Sequence, residues 1–128
     1  MSLRSFLEEM EKKKEVTHVR DRVSTRFETS AIMKSLDCGP ILFFDNMEGH
    51  TTKIVANVCA ARNRICSALN VKADSLYQKL ISGWLSPVQP KIVKEGPVQE
   101  VVKRANLSKI PVLTHFERDA GPYITSAI

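Results

Sequence analysis

GPILFFDNMEGH, residues 39–50, decides how this chain folds. The Gly39-Pro40 turn launches the apolar run Ile41, Leu42, Phe43 and Phe44, and Asp45-Asn46 followed by Glu48-Gly49 closes it. A short continuous apolar run bounded by turn residues reads as a strand buried on both faces. Such a strand needs cover on each side of its sheet. The flanking segments read as alternating helices and strands, so the expected fold class is α/β, a small N-terminal sheet flanked by helices.

Upstream, Ser2 is placed to N-cap a helix in which Leu3, Phe6, Leu7 and Met10 recur at helical spacing with charges between them. That helix is expected to end near Lys12-Lys13-Lys14. Val16-Thr17-His18-Val19-Arg20 is β-favouring and reads as a first strand, with His18 a surface or cross-strand residue. Phe27, Ala31, Ile32 and Leu36 outline a second helix that stops at Asp37-Cys38-Gly39-Pro40.

Downstream, Thr52 to Val58 is a run that can pair beside the buried strand, with Asn46 to Thr51 as the connection. From Ala60 the pattern is helical, with Ile65, Cys66 and Leu69 on one face and Asn70 suited to a left-handed C-terminal cap. Asp74 is expected to cap a further helix whose apolar side is Leu76, Tyr77, Leu80, Ile81 and Trp84. Pro87, Pro90 and Pro97 then mark the best boundary, dividing the chain into residues 1–95 and 96–128.

Beyond that boundary, Gly96 to Val102 reads as a turn leading into a strand. Leu107, Ile110, Pro111 and Val112 form an irregular apolar segment, and Thr114-His115-Phe116 passes through Asp119 to Pro122 into the last run, Tyr123 to Ile128. That run is β-favouring and nearly uncharged, and the chain stops inside it. An unpaired strand edge invites association, so the expectation is a fragment, or a chain that docks on another. Val98, Val101 and Val102 are the expected strand partners.

The chain has 128 residues, 43% hydrophobic and 26% charged, ordinary for one soluble domain or one domain plus a piece of another. No apolar run approaches the ~20 residues of a membrane helix. The N-terminus lacks the apolar core of a signal peptide, so a cytoplasmic protein is expected. The net charge of +5 invites a nucleic-acid reading. Its basic residues are scattered, however, and the tightest run sits beside Glu8, Glu9, Glu11 and Glu15, as on a solvated helix face. Aromatics do not interleave with the basic residues, so no nucleic-acid partner is expected.

Cys38, Cys59 and Cys66 form no CxxC pair, and Cys59 and Cys66 are expected as small core residues. His18, His50 and His115 fall far apart and make no metal motif. The chain contains no GxSxG, GxxxxGK, HExxH or GxGxxG. Asp45, Asn46 and Glu48 look like a paired-carboxylate site, although a position just after a strand favours turn and capping roles. Arg62 and Arg64 are candidates to face an anionic substrate, against the plainer reading of solvent-facing helix arginines.

The order of short motifs carries more. Leu3-Arg4 with Phe6-Leu7 comes first, followed by Gly39-Pro40 with Phe44 to His50 and by Asn57 with Arg62-x-Arg64-Ile65 and Ala68-Leu69. Gly96 to Val102, Ile110-Pro111 with Thr114-His115, and Gly121-Pro122-Tyr123-Ile124-Thr125 complete the succession. This series resembles the N-terminal part of the UbiD family, the prenylated-flavin-dependent decarboxylases related to the polyprenyl-hydroxybenzoate carboxy-lyases. The resemblance spans Leu3 to Thr125. The chain departs from the family at turns: Lys14 and Asn70 stand where the family favours Gly, and Ala120-Gly121 where it has a double Gly.

The resemblance implies a longer, homo-oligomeric enzyme. Its N-terminal α/β domain covers a split-barrel domain that holds prenylated FMN with a divalent metal (Mn) and potassium. Residues 96–128 would be the first strands of that barrel. The reaction implied is reversible decarboxylation of an aromatic or α,β-unsaturated carboxylic acid. The family's acid-base residues and metal ligands lie beyond the end of this sequence, so no catalytic or metal-binding residue is assigned here. The chain alone is expected to be inactive and to hold no cofactor tightly. One residue, Thr125, matches the strand threonine that lies close to the flavin in relatives. The alternative is a stand-alone, non-catalytic module that docks on a partner chain carrying the flavin site.

Overall fold

A computed structural model describes residues 2–124, so Thr125 and the end of the last apolar run lie outside the described residues. The element order is α1 (Leu3–Lys12), β1 (Val16–Val23), α2 (Glu28–Ser35), β2 (Ile41–Met47), β3 (Ile54–Ala56), α3 (Arg62–Leu69) and α4 (Leu76–Leu85). The three strands form one mixed sheet in the order β1-β2-β3. β1 and β2 run parallel, with Val16 opposite Ile41 and His18 opposite Phe43, and α2 supplies the crossover that parallel neighbours require. β3 is antiparallel to β2, pairing Leu42 with Ala56 and Phe44 with Ile54.

β2 is the central strand and is covered on both faces, as its apolar run demands. Ile41 packs with Phe6 and Met10 of α1. Leu42 and Phe44 pack on the opposite face with Val23, Met47 and Ala56, against Ile32 and Met33 of α2. Ile41, Leu42 and Phe44 are wholly buried. Gly39 opens the strand because no side chain fits there: a Cβ would come within 2.8 Å of the Leu36 carbonyl oxygen.

The helix ends follow local chemistry. Ser2 caps α1 by accepting from the Ser5 amide, and the Ser5 hydroxyl oxygen accepts in return from the Ser2 amide. At the other end Lys14 is left-handed (φ 59°), its amide donates to the Glu11 carbonyl, and the Glu15 amide donates to the Met10 carbonyl. Asn70 repeats this closing turn after α3 (φ 52°), with the Val71 amide on the Cys66 carbonyl. The two places where the chain carries Lys or Asn instead of the family's Gly are therefore positions that favour glycine. At the third departure the left-handed residue is Gly121, so Ala120 costs nothing there.

Several expectations need correcting. Asp74 does not cap α4; it sits in a 3-10 turn, Ala73–Ser75, and its carboxylate accepts from the Ser75 hydroxyl. Cys59 is exposed, because β3 ends at Ala56 and the chain has already left the sheet, whereas Cys66 is buried. The expected apolar side of α4 exists but covers nothing among the described residues: only Leu76 is buried, and Trp84 is 87% exposed. Residues 97–102 form no strand. Pro97–Gln99 is a 3-10 turn, closed by the Gln99 and Glu100 amides on the Gly96 and Pro97 carbonyls. Among the described residues no strand pairs with it, Val98, Val101 and Val102 are exposed, and the Tyr123 amide donates to the Leu113 carbonyl rather than to them.

Arg64 is the one charged residue buried among the described residues. Its guanidinium donates from Nε to the Val58 carbonyl, from Nη2 to the carbonyls of Gly39 (2.7 Å) and Asn57, and from Nη1 to the Glu15 carboxylate (3.2 Å).

Arg64→Met is expected to lower the unfolding free energy by about 3–5 kcal/mol, since it strands Glu15 and the carbonyls it served. Arg64→Lys should recover little of that loss, because one ammonium cannot reproduce the fork. Urea unfolding followed by circular dichroism measures both. Lys14→Gly is expected to raise stability by roughly 0.5–1 kcal/mol in the same assay, as the left-handed penalty on a side chain is removed.

Candidate functional site at the seam between the two segments

The segment after the proline-rich stretch meets the first segment at Thr114, and again where His50 Nδ1 lies 3.4 Å from the Lys109 carbonyl oxygen. The Thr114 amide donates to the Thr25 carbonyl (3.1 Å) and the Phe27 amide to the Thr114 carbonyl (3.0 Å), a single parallel bridge between Arg26 and Thr114. Asp119 holds the returning loop in shape by accepting from the amides of His115 and Phe116, both at 2.9 Å. His115 is thereby presented to α2, where its Nδ1 lies 2.8 Å from the Ser30 hydroxyl oxygen. The imidazole also meets the Tyr123 ring at 5.5 Å.

Phe27 is the strained residue of this seam. It initiates α2 at φ 66°, a conformation that costs an aromatic residue about 1–3 kcal/mol. Arg26 lies over its ring at 5.0 Å, and its amide is spent on Thr114. Between α2 and the returning segment is a cleft of about 540 Å³, walled by Phe27, Met33 and Phe116 and edged by Ser30, Asn57 and His115. Asn57, itself left-handed (φ 57°), donates from its side-chain amide to the carbonyls of Met33 and Leu36, closing the C-terminal end of α2.

Chemically the cleft offers apolar walls, a hydroxyl and an imidazole. Ser30 and His115 have the spacing of a nucleophile and its base, but among the described residues no carboxylate is hydrogen-bonded to the other imidazole nitrogen. The arrangement joins two segments.

The other candidates lie elsewhere. Asp45 and Asn46 are strand residues of β2, not turn residues. Asp45 accepts from Lys53 Nζ (2.6 Å) and contacts His18 Nδ1 (2.7 Å), while Glu48 pairs with Arg22, so the two carboxylates serve separate cations. Lys53, and next His18, hold the Asp45 carboxyl below the ordinary range. Arg64 does not face solvent, being buried as described. Arg62 lies over the Tyr77 ring at 4.8 Å and donates to the Ala73 carbonyl, bracing the turn before α4. Thr125 lies outside the described residues, two positions beyond the Tyr123 that contacts His115.

The seam coincides with a division between two family models. Residues 7–84 match the 3-octaprenyl-4-hydroxybenzoate carboxy-lyase N-terminal domain and residues 91–128 match its Rift-related domain. The chain belongs to the UbiD family. It is 34% identical over 133 aligned positions to an anhydromevalonate phosphate decarboxylase of Methanosarcina mazei, covering 100% of this chain and 29% of that protein. Among solved structures it is similar to the UbiD-class enzyme HmfF from Pelotomaculum thermopropionicum in complex with FMN, with TM-score 0.89 and 32% identity over 98% of this chain and 29% of that one. An evolved dimeric form of HmfF in complex with prFMN gives TM-score 0.90 at 33% identity, over 97% of this chain and 30% of that one. The chain thus spans under a third of the length of these relatives and corresponds to the N-terminal part of a UbiD-family protein.

The residues that make the seam, Ser30 and Phe27, were not singled out as functional in the sequence. A serine on a helix and a phenylalanine at its start carry no motif, and only the return of Thr114-His115 gives them a role.

Ser30→Ala is expected to leave the far-ultraviolet circular dichroism unchanged while speeding hydrogen exchange at the Phe27 and Thr114 amides about fivefold, the loss of one hydrogen bond worth about 1 kcal/mol. Mass spectrometry of the peptides covering residues 24–30 and 110–118 reads this directly.

Proposed function

We propose that this chain is the covering part, with the beginning of the flavin-binding part, of a UbiD-type carboxy-lyase that reversibly decarboxylates an aromatic or α,β-unsaturated acid. The single observation that supports this is the seam: a segment of the Rift-related match is clamped onto α2 of the N-terminal match, and the chain runs on from it through Tyr123 to Thr125. In this reading residues 1–95 are the covering domain and residues 96–128 begin the domain that takes prenylated FMN, with Thr125 beside the cofactor.

The flavin, when bound, supplies the electron sink for loss of carbon dioxide; the protein positions the acid and delivers the proton. In this reading the divalent metal and potassium are held by sequence that the longer relatives have beyond this region. The described part of this chain contributes cover and positioning. The assembled enzyme works in the cytoplasm as a homo-oligomer, and among the described residues no helix is long and apolar enough to cross a membrane.

Two measurements test the proposal. The purified 128-residue chain, supplied with prenylated FMN, manganese and potassium, is expected to release no carbon dioxide from cinnamate-like or phenolic acids. A chimera in which this chain replaces the matching N-terminal third of HmfF is expected to bind the flavin and decarboxylate that enzyme's acid. Turnover by the chain alone, or a folded, flavin-loaded chimera without turnover, overturns the reading.

A further inference from the structure

On the face of the sheet that carries α1, beyond the helix's apolar contact with Ile41, His18 of β1 is held by both ring nitrogens. Nδ1 lies 2.7 Å from the Asp45 carboxylate of β2, and Nε2 lies 2.7 Å from the Glu11 carboxylate in the last turn of α1. A carboxylate only accepts, so both contacts are made at once only if both nitrogens carry protons, that is, by an imidazolium. The ring lies 5.1 Å from Phe43, its cross-strand partner, over which Lys53 also sits at 5.5 Å. From these geometric facts we propose that His18 is a proton-operated clamp joining the C-terminal turn of α1 to the sheet.

The surrounding charges decide which contact yields on deprotonation. From β2 comes Asp45, and from the approach to β3 comes Lys53, which bonds Asp45 at 2.6 Å. From α1 comes Glu11, and nearby Lys13 is engaged with Glu9, Glu15 with Arg64, and Arg22 of the same strand with Glu48. Neutral imidazole has one N–H, so one carboxylate then faces a lone pair. Asp45 lies within β2 and retains Lys53. Glu11 is exposed, stands at a helix end and has no second cation among the described residues, so it is the contact that opens.

The direction of the titration agrees with this geometry. Asp45 first, and then Glu11, hold the proton on His18 above its ordinary value of 6.5. The clamp therefore contributes fully below pH 6.5 and is lost as pH rises through the raised value. The turn it releases is the one in which the amides of Lys13, Lys14 and Glu15 close α1 on the carbonyls of Glu9, Glu11 and Met10.

The 128-residue chain itself provides the test. Nitrogen-15 NMR of the His18 ring is expected to show both nitrogens protonated at pH 6 and a midpoint above 6.5. Exchange at the Lys13, Lys14 and Glu15 amides, corrected for intrinsic base catalysis, is expected to quicken about two- to fivefold across that midpoint, the range of an exposed ion pair. Glu11→Gln is expected to move the midpoint downward and abolish the step, while His18→Phe is expected to show no step at any pH. A His18 midpoint at or below 6.5, or a step of the same size in Glu11→Gln, overturns the clamp.

Discussion

The guanidinium of Arg64 gathers one end of the whole sheet. It reaches Glu15 just before β1, Gly39 just before β2, and Asn57 and Val58 just after β3, all from the first turn of α3. The Ile41 amide on the Glu15 carbonyl joins the first two of these points directly. Burying a cation is unfavourable unless its protons find acceptors, and here four hydrogen bonds reach three carbonyls and one partly buried carboxylate. The benefit is geometric. A three-stranded sheet with a three-residue outer strand has few ladder bonds to set its register, and a rigid fork that measures the distances between strand ends supplies what the ladder lacks.

Shortness has a second consequence. Helices of eight to ten residues must stop sharply to let the next element begin, and the chain does so with left-handed residues at Lys14, Cys38 and Asn70. None is glycine, so each stop carries some strain that packing elsewhere must offset. Phe27 differs, because its left-handed backbone starts a helix rather than ending one. The same distortion turns its amide outward to the returning segment, so local strain and the contact between the two segments arise from one residue.

Charge is distributed in local pairs on this surface. Arg22 with Glu48, Asp45 with Lys53 and the doubly bonded His18 tie neighbouring elements together, and Glu9 with Lys13 braces the end of α1. The apolar residues behave oppositely. They are concentrated inside the first half around β2, whereas between Tyr77 and Val102 many lie open, with Trp84, Val88, Ile92 and Val98 all exposed. The sheet and the helices packed on it thus close upon themselves, and the stretch from α4 to Val102 does not.

The amino-acid sequence by itself determined the parts whose causes are local. An uninterrupted apolar run flanked by turns had to be a strand covered twice; Ser2 and Asn70 had the chemistry of helix ends; the order of motifs placed the chain in its family. Tertiary structure decided whatever depends on distant residues meeting. Arg64 and Arg62 look alike on a helix, yet one is swallowed because Gly39, Asn57 and Glu15 converge on it, and the other is left stacked on Tyr77. Val98 to Val102 is β-favouring, but β-propensity acts only through a partner strand, and none lies beside it among the described residues. Asp45 reads as a turn residue until β2 is seen to continue to Met47, and His18 reads as an ordinary strand histidine until Glu11 and Asp45 close on it from two other elements. Spacing along a chain encodes period and caps, whereas such convergence is a property of three dimensions.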